Sequence, residues 1–106
     1  MSPHKIVYTE FFGLTDGDCP LSEISGDVGI DVHAIHGNQR GGRKEERPIE
    51  ELICLTRKEH DKYGGKKQYK HALYNIHLKF IQRMRPDYNI REEYLQYIEE
   101  PEIKIE

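Results

Sequence analysis

The residues of this sequence that could bind a metal ion or carry a proton are concentrated around one short stretch. The segment DVHAIHGNQRGG, residues 31–42, contains His33 and His36 ahead of a Gly-Gly pair, and His60 follows further along the chain. Neutral imidazole is a common metal ligand, and its pKa near neutrality also suits acid–base catalysis. The pattern predicts a metal-binding hairpin, in which one histidine holds the metal and the glycines turn the chain back.

Two short strands are predicted on either side of this turn. In the segment GIDVHAI, residues 29–35, apolar and polar side chains nearly alternate, as in a half-buried strand. The segment LICL, residues 52–55, is a short apolar run typical of a buried strand. Residues 36–48 between them hold three glycines and end at a proline, which indicates a loop.

Helices are predicted after the second strand. Residues 56–65 begin with Thr56 and carry Glu59 three residues later, the pattern of a capping box, and they end at two glycines. Residues 66–84 carry apolar side chains at spacings of three and four, which predicts one apolar stripe along a long helix. The stripe consists of Tyr69, Ala72, Leu73, Ile76, Phe80, Ile81 and Met84. Residues 91–100 show a second amphipathic pattern, which a proline closes.

The residues before the first strand are predicted to form an arm and a loop. Residues 1–12 include KIVYTEFF, a candidate for a short strand or for an arm that packs on the core. Residues 13–29 are rich in Gly, Asp and Ser, a composition typical of loops. The predicted fold class is therefore α+β, with a ββα unit in the middle of a single domain that spans residues 1–106.

The composition is that of a small domain with a lean core and a charged surface. Of its 106 residues, 36% are apolar and 33% are charged. Its two cysteines, Cys19 and Cys54, are not part of a CxxC pair and give no direct zinc signal. The first residues hold no apolar run long enough for a secretory signal or a membrane span, so the expected location is intracellular, with free thiols.

Charge is distributed unevenly along the chain, although the net charge is only −3. Residues 40–70 hold ten Lys or Arg against six acidic residues, whereas residues 86–106 hold two against seven. A basic middle can present a positive face to nucleic acid, and the alternative is an ordinary charged helix surface. The basic residues expected to contact nucleic acid are Arg40, Arg43, Lys44, Arg57, Lys62, Lys66 and Lys67.

Several segments follow one another in an order typical of a known family: SEISG (22–26), DVHAI (31–35), GNQRGG (37–42), IEEL (49–52), LICLTRKEHDKYGG (52–65) and IHLKF (76–80). They resemble the HNH endonuclease family, whose active site is the ββα-metal motif, and in particular its small phage and prophage members. The resemblance implies an N-terminal arm or loop (1–20), a ββα-metal core (21–65), a long helix (66–85) and an acidic C-terminal helix and tail (86–106). It also implies a phage or prophage origin and the cytoplasm of a bacterial host.

The resemblance implies four roles in phosphodiester hydrolysis. Two ligands hold one divalent cation (Mg, Mn, Ni or Zn), and their positions fall on His33 and His60. The general-base position falls on Ala34, which cannot accept a proton, and the position of the Asn that orients the base falls on Glu51. Both ligands are present while the base and its partner are changed, which predicts DNA binding with hydrolysis that is weak or lost.

Two alternatives would preserve catalysis. His36 lies two residues beyond Ala34, on the same face of a regular strand, and could act as a displaced base. Glu51 could approach the metal and complete a set of two histidines and one carboxylate. The simpler interpretations are a loop residue or phosphate contact for His36 and a solvated or capping carboxylate for Glu51.

Many members of the family are braced by a structural zinc on four cysteines. The corresponding positions are Ser22, Ser25, Thr56 and Glu59, none of which is a thiolate, so no structural zinc on four cysteines is expected. Three hypotheses stay open: a DNA-directed, metal-binding HNH protein; an inactive HNH fold that binds a protein, for example as an inhibitor of a host defence system; and a small structural protein without metal. No membrane association is expected, and a dimer is among the open oligomeric states.

Overall fold

The computed structural model describes residues 3–15, 18, 20–29, 31–35 and 47–103. Within them the elements are, in chain order, α1 (Pro3–Phe11), β1 (Asp31–Ala34), a 3₁₀ helix (Ile49–Glu51), β2 (Leu52–Leu55), α2 (Arg57–Tyr63), α3 (Lys67–Met84) and a second 3₁₀ helix (Glu92–Tyr97). The α+β class is confirmed, with a two-stranded antiparallel sheet followed by helices.

The sheet forms the centre of the core. β1 pairs with β2 so that Asp31 lies opposite Leu55 and Ala34 opposite Leu52. All four residues of β2 are fully buried. Helices α1, α2 and α3 each pack against β2, which explains why this strand is a continuous apolar run rather than an alternating one. No helix among the described residues is long and apolar enough to cross a membrane.

The prediction of a strand in KIVYTEFF is wrong, because these residues belong to helix α1. The helical signal is the recurrence of apolar residues four apart: Val7 with Phe11, and Tyr8 with Phe12. The rings of Tyr8 and Phe12 lie 4.7 Å apart between centroids. Branched and aromatic side chains have high strand propensity, but the burial of this face against the sheet outweighs it. The alternative interpretation, an arm that packs on the core, describes the position of the segment.

Helices α2 and α3 lie where the sequence predicts them. The capping box of α2 is present: Glu59 N–H donates to Thr56 Oγ1 at 3.1 Å, and Thr56 N–H donates to Glu59 Oε1 at 2.8 Å. On α3 the predicted stripe is only partly correct, because Met84 is 56% exposed while four residues outside the stripe are buried. Those four residues are Tyr74, Asn75, His77 and Leu78.

The predicted helix at 91–100 is a shorter 3₁₀ helix, Glu92–Tyr97. It is held by buried glutamates rather than by an apolar face alone. Tyr88 donates to Glu50 Oε2 at 2.7 Å, and Tyr94 donates to Glu51 Oε2 at 2.5 Å. Directed hydrogen bonds of this kind fix the backbone of a short segment without the regular periodicity of an α-helix.

A buried ion pair joins the elements that surround the sheet. Glu23, in the loop before β1, accepts from His77 Nδ1 of α3 at 2.8 Å and from the Tyr8 hydroxyl of α1 at 2.7 Å. His77 Nε2 lies 2.5 Å from the carbonyl oxygen of Ile49. Both ring nitrogens therefore face acceptors, so the ring is a doubly protonated cation. Burial alone lowers the pKa of His77, but the Glu23 carboxylate and the Ile49 carbonyl outweigh it and raise the pKa.

We expect the variant Glu23→Gln to be strongly destabilised. Both side chains of the pair have 0% exposure, and removing one partner of a buried pair costs about 3–5 kcal/mol.

We also expect the wild-type free energy of unfolding to fall as the pH rises above about 6.5, because the unfolded histidine then loses its proton while folded His77 keeps it. Urea unfolding between pH 6 and pH 9 measures both effects.

The matched control is Glu100→Gln, which removes the acid of another Glu–His pair. His71 Nε2 lies 3.0 Å from Glu100 Oε2, but both side chains are about half exposed, so stability should change little. A wild-type protein whose stability is the same at pH 6.5 and pH 9, or a Glu23→Gln variant as stable as the control, would contradict this account.

Candidate metal and nucleic-acid site

The hairpin and α2 bring two predicted metal ligands together. His33 lies on β1 opposite Ile53, and His60 lies on α2, which follows β2 directly. The two imidazole rings are 4.7 Å apart between centroids, with an angle of 49° between their planes. Residues on separate elements thus meet at one point on the surface of the ββα unit.

Asp31 is a residue of this site that the sequence analysis did not single out. Its Oδ2 lies 2.9 Å from His60 Nδ1 and 3.4 Å from Arg57 Nε. A carboxylate on one ring nitrogen orients a histidine and leaves the other nitrogen for a ligand, as is usual for metal-binding histidines. The signal that could have found it is the alternation of the strand, since Asp31 and His33 share one face.

The other ring nitrogens converge on the turn Gly64–Gly65. The Gly65 N–H donates to His33 Nε2 at 3.3 Å, and the His60 ring lies against Gly64 so closely that a Cβ there would overlap it. Burial and the neighbouring His60 lower the pKa of His33 to about 4. At neutral pH His33 is therefore uncharged, in agreement with its role as hydrogen-bond acceptor.

Ser22, Ser25, Thr56 and Glu59, the four positions that the resemblance aligns with zinc-ribbon cysteines, lie together in space. The Ser22 hydroxyl donates to Glu59 Oε1 at 2.6 Å, and the same oxygen accepts from Thr56 N–H. The Ser25 N–H donates to Ser22 Oγ at 3.1 Å, and the Ser25 side chain hydrogen-bonds to Glu59. Partial burial acts to raise the pKa of Glu59, but these hydrogen bonds together outweigh it and lower the pKa. We call these four residues the oxygen cluster.

Ala34 and Glu51, the positions to which the resemblance assigns the general base and its partner, have contacts of another kind. Ala34 is only 5% exposed and belongs to the core. The carboxylate of Glu51 accepts from Tyr94 and lies 3.7 Å from Arg47 NH1. These contacts direct Glu51 towards the C-terminal 3₁₀ helix. The alternative in which Glu51 completes a metal site with the two histidines stays a prediction.

The structure places some of the predicted basic residues near the two histidines. Arg57 is one turn ahead of His60, and its side chain is 65% exposed. Lys66 follows the Gly64–Gly65 turn, and its Nζ donates to Lys62 O at 2.8 Å and to Asp61 O at 3.1 Å. Lys67 begins α3 on the surface. The predicted residues His36, Arg40, Arg43 and Lys44 lie outside the described residues.

Among the residues that the structure describes, no three His, Cys, Asp or Glu side chains are grouped so that they could hold a metal ion. The candidate metal donors are therefore the two histidines alone, His33 and His60. Comparisons of the chain with protein-family models, with curated proteins and with solved structures found no match.

We expect the variant Gly64→Ala to displace the His60 ring. The backbone of Gly64 is ordinary, with φ at −67°, so the effect comes from the added Cβ, which would overlap the His60 ring and carbonyl oxygen. Such overpacking costs about 1–3 kcal/mol. The His60 ring resonances, followed by NMR, should shift.

The control is the variant Gly65→Ala. The φ of +72° at Gly65 makes alanine strained there, but no atom lies within 4 Å of the new Cβ. This control should lose stability and leave the His60 resonances in place; equal shifts in both variants would contradict the packing described.

Proposed function

We propose that this protein is a nucleic-acid-binding protein of the HNH-like, ββα-metal class, which holds a divalent metal ion at His33 and His60 and hydrolyses phosphodiesters weakly or not at all. The observation that carries the proposal is the meeting of these two histidines, which lie on separate elements, with Asp31 hydrogen-bonded to one of them.

Three further features support the proposal. The elements follow the order strand, strand, helix. The oxygen cluster unites the four positions at which the resemblance expects zinc-ribbon cysteines. Exposed basic side chains occur on α2 and just after it, close to the two histidines. Each of these agrees with the alignment on which the resemblance depends.

The two imidazoles fit a divalent cation in their chemistry. Both offer nitrogen donors, and a bound cation would stabilise the negative charge that develops on a phosphate. Asp31 would keep the His60 ring in one orientation, and metal binding at His33 Nε2 would replace its 3.3 Å hydrogen bond from Gly65. Arg57 would meet the phosphates of a bound strand.

Proton transfer is the missing part of a hydrolytic reaction at this site. Ala34 has no group that accepts a proton, and it is buried. A positioned general base contributes about 10²- to 10⁴-fold to a reaction rate. Metal and nucleic acid would therefore bind at a site where the activation of water is poor.

We expect Zn²⁺ or Mn²⁺ to raise the melting temperature of the wild-type protein, because a ligand that binds only the folded state stabilises it. The rise should be absent in His60→Ala. In Asp31→Asn it should require about 10- to 100-fold more metal, since that residue acts through His60. The control is His71→Ala, which removes an exposed histidine paired with Glu100 and should respond as the wild type does.

The same proteins would be tested for supercoiled-plasmid nicking and for binding to a labelled DNA duplex. Slow or absent nicking is expected, with DNA binding that weakens in Arg57→Gln and at higher salt. A melting temperature that is insensitive to the metal ions, or a shift that persists in the double variant His33→Ala/His60→Ala, would overturn the metal site.

The oxygen cluster provides an independent test of the fold relationship. We expect the quadruple variant Ser22→Cys/Ser25→Cys/Thr56→Cys/Glu59→Cys to bind one zinc ion tetrahedrally, because four thiolates would then replace side chains that already lie together. Cobalt substitution would show the absorption of a tetrahedral thiolate site. The control is the triple variant that retains Ser25, in which the four-thiolate spectrum should be absent. A folded quadruple variant that binds neither metal would contradict the relationship.

The second candidate function is a catalytically inactive fold that binds another protein. The observation in its favour is that both altered positions are tied into the core, Ala34 by burial and Glu51 through Tyr94. A melting temperature that does not change with metal ions, together with no DNA binding at low salt, would favour this candidate.

A further inference from the structure

A cavity lies on a different part of the molecule from the two histidines. It has a volume of about 410 Å³, within the range of small-molecule sites. Its apolar walls come from Val7 and Phe11 of α1, from Ile49, and from Tyr88 of the C-terminal segment. Several elements thus line an open cleft against which a flat ring could pack.

Two arginines complete the lining of this cavity, Arg47 and Arg91. The Arg91 side chain is 57% exposed, and its Nε is 4.0 Å from Glu50 Oε1, too far for a hydrogen bond. Glu50 therefore attracts the guanidinium by charge, and the Arg91 side chain also interacts with the Tyr88 hydroxyl. A guanidinium has five N–H donors, so an anion at the cavity can share this group. Arg47 lies 3.7 Å from Glu51 Oε1.

The carboxylates that balance these two cations do not line the cavity. Glu50 is 0% and Glu51 8% exposed, and each accepts a hydrogen bond from a tyrosine of the C-terminal segment. An entering ligand therefore meets apolar walls and cationic groups. Guanidinium groups bind phosphates and carboxylates through paired, charge-assisted hydrogen bonds.

We propose that this cavity binds a small anion that carries a flat aromatic ring, the chemistry of a mononucleotide, with a face of the ring against Phe11, Ile49 and Tyr88 and the phosphate on Arg91 and Arg47. The inference is independent of metal binding, because it uses none of the residues of the candidate metal site. The same chemistry is offered by a free nucleotide and by the phosphorylated end of a nucleic-acid strand.

The test is an NMR titration of the full-length protein with thymidine 5′-monophosphate. Thymidine, which lacks the anion, and inorganic phosphate, which lacks the ring, are titrated in parallel. We expect saturable shifts at the cavity residues with the nucleotide and much weaker ones with either part. In Arg91→Gln the dissociation constant for the nucleotide should rise about tenfold or more.

A second titration distinguishes the two sources of the ligand. A 5′-phosphorylated oligothymidine that binds more tightly than the nucleotide would identify a strand end as the ligand. The reverse order of affinities would identify a free nucleotide.

The matched control is Arg83→Gln, which removes an arginine of α3 that has the same 57% exposure and pairs with Glu102. Its affinity for the nucleotide should equal that of the wild type. Replacement of Arg91 leaves its backbone N–H on Glu50, and its melting temperature would verify folding. Equal binding by Arg91→Gln and wild type, nucleotide-induced shifts confined to His33 and His60, or no shifts at all would overturn the proposal.

Discussion

The buried carboxylate of Glu23 is the contact on which the arrangement of the other elements depends. It accepts hydrogen bonds from Tyr8 of α1 and His77 of α3, while His77 in turn contacts the carbonyl of Ile49 ahead of β2. The two ionised side chains have 0% exposure, so neither can exchange its partner for water without a large desolvation cost. One polar contact therefore determines how the N-terminal helix, the loop before β1 and the long helix meet around the sheet.

The parts of this fold that the sequence predicts are those with a local cause. The capping box at Thr56 and Glu59 and the apolar run of β2 depend on residues that are close along the chain, and both are present. Helix α1 had a local signal too, the spacing of Tyr8 and Phe12, but the strand propensity of the segment concealed it. The positions of His77 and Asn75 on α3 had no such signal. Their burial depends on partners such as Glu23 and Ile103, which lie far away in sequence.

The candidate site likewise contains residues that the sequence predicted and residues that it did not. The resemblance assigns His33 and His60 to two ligand positions of one site, and in the structure their rings lie 4.7 Å apart. Asp31 was missed because its partner His60 lies 29 residues further along the chain, and only the fold shows that the two side chains meet. Glu51 was considered as a possible metal ligand, but its carboxylate contacts another part of the molecule. Its hydrogen bond from Tyr94 joins residues far apart in sequence, and no short-range pattern indicates that this carboxylate faces the C-terminal segment.

The oxygen cluster connects the start of α2, the helix that carries His60, to the loop before β1. Glu59 is the residue before His60, and its carboxylate is fixed by Ser22 and by the N–H of Thr56. These contacts define where α2 begins, and α2 carries His60 against the turn that follows it. Neither set of contacts involves Ala34, the position to which the resemblance assigns the general base. The arrangement of the two imidazoles and of the Arg57 side chain therefore rests on Asp31, Glu59 and the Gly64–Gly65 turn, and not on the side chain of Ala34.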